Sequence, residues 1–160
     1  MTMRIRHDLQ PGDVGRIITL HGELYAREHC FDCTFEAYVA GPLAEFVKTR
    51  TDRERIWLVD HTEPVMGCIA IVKHDEARAQ LRWFLLHPSL RGRGLGKKLL
   101  GEAVAFCQEM GYESVFLWTV GGLHAAAGLY RAAGFTLTEE HERLLWGRRL
   151  VEQRYDLALR

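Results

Sequence analysis

Leu86-His87-Pro88-Ser89-Leu90-Arg91-Gly92-Arg93-Gly94-Leu95-Gly96-Lys97-Lys98 is the stretch from which the rest of the chain is read. An apolar strand ends at Leu86 and a proline turn follows. Glycines at alternate positions, Gly92, Gly94 and Gly96, then lead into an amphipathic helix. Backbone N–H groups at the start of a helix are unpaired and carry the positive end of its dipole. With Arg91, Arg93, Lys97 and Lys98 around them, they make a site for a doubly phosphorylated group. Glycine removes the side chain, so the backbone can come close to the anion.

Spacing narrows the choice. A Walker loop needs four residues between its first glycine and a Gly-Lys pair, followed by Ser or Thr. Here Lys98 stands where the hydroxyl belongs. A dinucleotide fingerprint needs Gly-x-Gly-x-x-Gly, but Lys97 and Leu99 occupy the third glycine position in the two registers available. What remains is Arg-x-x-Gly-x-Gly, filled by Arg91, Gly94 and Gly96. With the strand ending at Leu86 and the His87-Pro88 step, this resembles the acetyl-CoA loop of the GNAT N-acetyltransferase superfamily. A Gly-rich turn that only caps a helix is the plainer alternative.

The chain has 160 residues, enough for one domain with its own core, and we expect residues 1–160 to form a single acetyltransferase domain. Its 21 basic residues balance 21 acidic ones, which argues against nucleic acid or an anionic membrane as partner. Apolar runs fall short of a membrane span and the N-terminus lacks a signal-peptide core, so a soluble cytoplasmic protein is the expectation. Cys30 and Cys33 form one Cys-x-x-Cys, half of a zinc site at most, while Cys68 and Cys107 sit in apolar patterns. No metal is expected.

Outward from the loop, periodicity predicts the other elements. Residues 4–7 read as a first strand. Asp13 reads as the N-cap of a helix with Val14, Ile17, Ile18, Leu24 and Tyr25 on its apolar face. A second helix starts near Thr34, and Gly41-Pro42 should bend or break it. Strands follow at 56–59, 65–72 and 79–86, with a turn over 60–64. The loop helix covers 94–110, a strand 115–119 and a helix 123–133. A hairpin pairs 135–145 with 150–157, turned near Gly147.

This order resembles the GNAT fold, an α+β (α/β three-layer) architecture. The resemblance implies a mixed, mostly antiparallel central sheet of about seven strands flanked by about four helices. It also implies strands four and five splaying apart. A second landmark, Leu129-Tyr130-Arg131-Ala132-Ala133-Gly134-Phe135, matches the family's helix-to-strand signature. More narrowly, the chain is similar to the acetyltransferase half that some bacteria fuse to MarR-type regulators.

The resemblance implies acyl transfer from acetyl-CoA by direct attack of an amine in a ternary complex. It puts the diphosphate on the loop Arg91, Gly92, Arg93, Gly94, Leu95, Gly96 and Lys97. The pantetheine arm would lie along Phe84, Leu85 and Leu86, with the Leu86 amide polarising the thioester. Tyr130 would face the sulfur as general acid, since a phenol near pKa 10 can protonate a thiolate whose acid is near 8.5. Arg131 could reach the outer phosphate. The carboxylates that often serve as base are replaced by Gln80 and Trp118, which leaves His124 as the first histidine to test.

A lysine near pKa 10.4 is neutral about once in 2,500 molecules at pH 7, and an α-amine near 7.7–8.0 about once in ten. The difference, about 3.5 kcal/mol, favours a small-molecule or α-amine acceptor. Tyr25, His29, Glu36 and Trp83 are the chosen residues for its pocket, with Glu28, Phe31 and Phe35 beside them. Family members are often dimers, and the last hairpin is the contact expected for a homodimer. The alternatives are a non-catalytic acyl-CoA sensor and a transferase of another acyl-CoA.

Overall fold

The computed structural model describes residues 2–160. Apolar residues of β2 (Arg55–Asp60), β3 (Gly67–Lys73) and β4 (Arg78–Leu86) are buried on both faces, so these strands form the middle of a sheet covered on two sides. β1 (Arg4–Arg6) pairs antiparallel with β2, β2 with β3, and β3 with β4. β5 (Ser114–Val120) runs parallel to β4, and the hairpin β6 (Thr136–Leu145) and β7 (Arg148–Ala158) joins through β7. The strand order is β1-β2-β3-β4-β5-β7-β6.

Helices cover both faces. Ile17 of α1 (Asp13–His29) and Val39, Leu43 and Phe46 of α2 (Cys33–Thr49) pack on Leu58, Cys68, Ala70 and Val120. On the other face, Leu99, Ala103 and Phe106 of α3 (Leu95–Glu109) and Tyr130 of α4 (His124–Ala132) pack on Ile69, Ile71, Leu81 and Leu117. Among the described residues, seven strands and four α-helices in three layers match the expected architecture.

Local departures have local causes. Asp13 is the first helical residue, not the cap, which falls to Gly12 at φ 95°. Its buried carboxylate accepts from the Gln10 N–H at 2.7 Å and forms a two-pronged pair with Arg6. α2 is unbroken and carries Pro42 inside it. Phe35, Val39, Leu43 and Phe46 bury the helix on both sides of the proline, and that packing outweighs the lost N–H. Asp32 caps this helix, accepting from the Thr34 N–H at 3.0 Å. β3 starts at Gly67, because Val65 belongs to a turn with φ 55° and donates its N–H to Asp60 at 2.9 Å.

Two features of the sheet set up the site. The β4–β5 ladder ends after Gln80 pairs with Phe116, so β4 from Leu81 onward has an open edge. The register between β3 and β4 also shifts, and Trp83 takes φ 52°. This bulge places Arg82, opposite Ala70, and Trp83 toward α1 and α2 together, and then returns Phe84 to the opposite face.

Candidate active site

The loop after β4 is anchored before it opens. His87 Nδ1 accepts from the Ser89 N–H at 3.1 Å, capping a single 3-10 turn over Pro88–Leu90. Leu90 is fully buried and pins that turn to the core. Gly92 and Gly94 both take φ 78°, a conformation other residues resist, and no neighbour lies within 4 Å of where a Cβ would stand. α3 then begins with no side-chain cap and no acidic residue in its first turn. Its free N–H groups therefore lie beside open space and the exposed Arg91, Arg93 and Lys97, an arrangement that fits a diphosphate. Leu95 and Gly96 are buried and can offer only backbone, and a Cβ on Gly96 would meet Leu129 at 3.1 Å.

Arg91 is tied down. Its Nε donates to the Leu86 carbonyl at 3.0 Å, and its Nη atoms meet Glu28 of α1 at 2.9 and 3.1 Å. Glu28 thus serves the loop and does not line the adjoining cavity.

The β4 edge beyond the split exposes particular groups. His87 N–H donates to the Met66 carbonyl at 2.8 Å, which makes Gly67 and Leu86 a non-hydrogen-bonded pair. The Leu86 N–H and carbonyl therefore point away from β3, toward the gap that β5 has left. Leu85, one residue earlier, turns its backbone to β3 and its side chain into the core. Phe84 lies across the gap from Tyr130, with ring centroids 6.3 Å apart.

Tyr130 is 6 % exposed and also packs on Phe135 and Tyr155. Burial, with smaller contributions from Tyr25 and Tyr155, pushes its phenol well above the ordinary value. Arg131 turns to Tyr155, donating to its hydroxyl at 3.2 Å, instead of toward the loop.

From the gap a cavity extends between α1, α2 and the β6–β7 hairpin. The hairpin turns at Trp146-Gly147, both with positive φ as a type I′ turn requires. It is clamped onto the helices: Asp32 N–H donates to the Trp146 carbonyl at 3.0 Å, and Arg148 donates to the His29 carbonyl at 2.7 Å. This seats the Trp146 ring 4.9 Å from Phe31 and 4.8 Å from Phe35. Tyr25, 4.6 Å from Phe35, completes an aromatic wall, and burial lifts its phenol to about 12.

Of the residues chosen from sequence for this pocket, Tyr25 and Trp83 line the cavity, as do Phe31 and Phe35. His29 and Glu36 do not. His29 lies at the last position of α1 behind Tyr25, and Glu36 sits against Gly22 at the α1–α2 contact. His124 is exposed at the start of α4 and is also outside. Gln80 and Trp118 do face the cavity.

Sequence reasoning missed His21, Tyr38, Arg82, Trp146 and Glu152, all of which line it. His21 is buried, contacts the Ile17 carbonyl through Nδ1 at 2.8 Å, and is lowered to about 4 by burial. It is therefore neutral near pH 7. Glu152 pairs with Arg143 at 2.7 Å. The legible signal was a charge at an inward position of a strand, as in Arg82 and Glu152. The hairpin contact of Trp146 carried no local signal. Among the described residues, no group of His, Cys, Asp and Glu could hold a metal ion, and no helix is long and apolar enough to cross a membrane.

Comparison with known proteins agrees with this geometry. The chain is 29 % identical over 120 residues to an uncharacterised N-acetyltransferase of Schizosaccharomyces pombe, covering 73 % of each. It shares its fold with an N-acetyltransferase of Staphylococcus aureus Mu50 (TM-score 0.80, 15 % identity, all of both chains). A Salmonella typhimurium protein described as an acetyltransferase, solved with its cofactor acetyl-CoA, is also similar in fold (TM-score 0.78, 18 % identity, 100 % of this chain and 95 % of that one). A family model matches residues 22–135, which span Tyr25, Phe31 and Phe35 of the aromatic wall, the open β4 edge, the glycine loop and Tyr130; the chain belongs to the acetyltransferase (GNAT) family.

Proposed function

We propose that this protein transfers an acetyl group from acetyl-CoA to a small primary amine, with both bound at once. The observation that carries this is the split between β4 and β5, which has an anion cradle at one end and an aromatic cavity at the other. Acetyl-CoA supplies an activated acetyl thioester. The backbone from Arg91 to Lys97 grips its diphosphate, and Phe84 to Leu86 flank its arm. The Leu86 N–H donates to the carbonyl oxygen, where negative charge develops. Tyr130 gives its hydroxyl proton to the departing sulfur. Trp83 and Tyr25 wall the acceptor.

Proton removal from the amine rests on the acceptor's own basicity and on Glu152, the carboxylate that borders the cavity. GNAT acetyltransferases act on small-molecule or amine acceptors, and the α-amine preference follows from the lower cost of its neutral form. We also read residues 1–160 as one catalytic domain of a cytoplasmic bacterial protein, akin to the acetyltransferase halves fused to MarR-type regulators. The loop sequence and the Leu129–Phe135 segment support that kinship.

Titration calorimetry with CoA, followed by a thiol-release assay with a panel of amines, tests the reading. Uptake of CoA and amine-dependent thiol release are expected. Folded protein that takes up no CoA overturns it, and uptake without thiol release identifies an acyl-CoA sensor instead.

A further inference from the structure

The acceptor cavity is bordered by a cation that no carboxylate neutralises and by a tryptophan whose indole N–H has no protein acceptor. Arg82 is half-buried on β4, and among the described residues no carboxylate pairs with it. Trp83, 8 % exposed, has a buried Nε1 with no partner. Both sit on the same side of the sheet because of the β4 bulge. A half-buried cation without a counter-charge is costly, so one that borders a cavity points to an anionic group on the ligand.

The surroundings specify its charge and shape. The Arg82 guanidinium lies 5.2 Å from the Trp83 ring and 5.7 Å from the Tyr38 ring. These aromatic faces hold the plane of the fork, and the Tyr38 hydroxyl takes one of its N–H groups. Burial pulls the group below its ordinary pKa, and only Tyr38 opposes that shift. Nearby carboxylates are engaged elsewhere: Glu152 with Arg143 at 2.7 Å, Glu45 with Lys48 at 3.6 Å, and Glu54 with the Thr51 and Lys73 N–H groups. The cavity therefore has an uncompensated planar cation beside apolar walls. A planar fork of this kind matches a carboxylate bidentately.

We propose that the acceptor is a free amino acid with an apolar or aromatic side chain, its carboxylate held by Arg82. Its side chain packs against Tyr25, Phe35 and Trp146, and its amine turns toward the split in the sheet. The new bond joins that nitrogen to the acetyl carbon as the carbon–sulfur bond breaks. The amine's proton leaves to solvent or Glu152, and the thiolate is reprotonated. This rests on the proposed acetyl transfer and names its substrate class.

The test uses matched acceptors: leucine, leucinamide and 3-methylbutylamine, and the phenylalanine series with phenylalaninamide and 2-phenylethylamine. Rates are compared at equal concentrations of neutral amine. We expect the amino acid to exceed its amide and its decarboxylated amine by about 10- to 100-fold in kcat/KM, the range for a hydrogen bond to a charged group. In Arg82→Gln that ratio falls to near one, and in Arg82→Lys it is intermediate. Equal rates across a wild-type series overturn the proposal while leaving acetyl transfer intact. A selectivity that survives Arg82→Gln, or better turnover of a tripeptide's N-terminal amine than of the free amino acid, also overturns it. No turnover of any acceptor by protein that binds CoA overturns both readings.

Discussion

Arg91 and Glu28 join the glycine loop after β4 to the end of α1 through a two-pronged ion pair at 2.9 and 3.1 Å. The pair is partly exposed, so its share of folding stability is small, about 1 kcal/mol or less. Its larger effect is on charge, since Glu28 cancels a cation at the rim of the anion cradle. Glu28→Gln should tighten CoA binding about threefold at low salt and steepen its salt dependence. Calorimetry at two ionic strengths checks this, and weaker binding at both would refute it.

Tyr130→Phe separates acid catalysis from packing. The ring and its contacts with Phe84 and Tyr155 persist, so stability should change little. With the hydroxyl gone, kcat should fall about 100-fold while the KM for acetyl-CoA stays within about twofold. The raised pKa of this phenol keeps it protonated throughout the assay range. The basic side of the wild-type pH–rate profile should therefore show no loss at the ordinary tyrosine value of about 10.

His21 gives stability a pH dependence. Burial lowers it to about 4 from an ordinary 6.5, so the unfolded chain binds the proton first as pH falls. Stability is then full above pH 6.5 and is lost on the way down to about 4. The loss amounts to about 2 kcal/mol between pH 7 and 5. His21→Leu should remove that increment. Urea denaturation of both proteins at the two pH values measures it, and equal losses in the two would refute the assignment.

Arg6 ties three elements together from a nearly buried position. It meets Asp13 of α1 at 2.7 and 3.0 Å and Asp60 of β2 at 2.7 and 3.1 Å. Burial alone would raise the Asp13 carboxyl, but Arg6 and the Gln10 N–H hold it below its usual range. Arg6→Met strands a carboxylate that is 1 % exposed and should cost about 3–5 kcal/mol in chemical denaturation. The double variant Arg6→Met with Asp13→Leu should recover part of this, because no unpaired charge remains at that position.

Much of the fold was legible because its signals are local. Apolar alternation marks β2 to β4, glycine marks the ends of α3 and α4, and Trp146-Gly147 lies where the sequence places the hairpin turn. Pro42 misled because the rule against proline within a helix concerns an isolated helix, and four buried residues of α2 override it. Asp13 misled because its partner, Arg6, lies on another element.

The order of residues by itself determined the glycine loop proposed as the anion cradle. Gly92 and Gly94 must take a left-handed backbone there, and the first amides of α3 follow directly along the chain. Only the tertiary structure decided what lines the cavity proposed for the acceptor. A one-residue bulge at Trp83 turns Arg82 and Trp83 to the same side, and a hairpin clamped on Asp32 and His29 brings Trp146 over Phe31 and Phe35. A bulge reverses every later side chain in a strand, and a clamp joins residues more than a hundred positions apart. Neither leaves a periodic trace in the sequence.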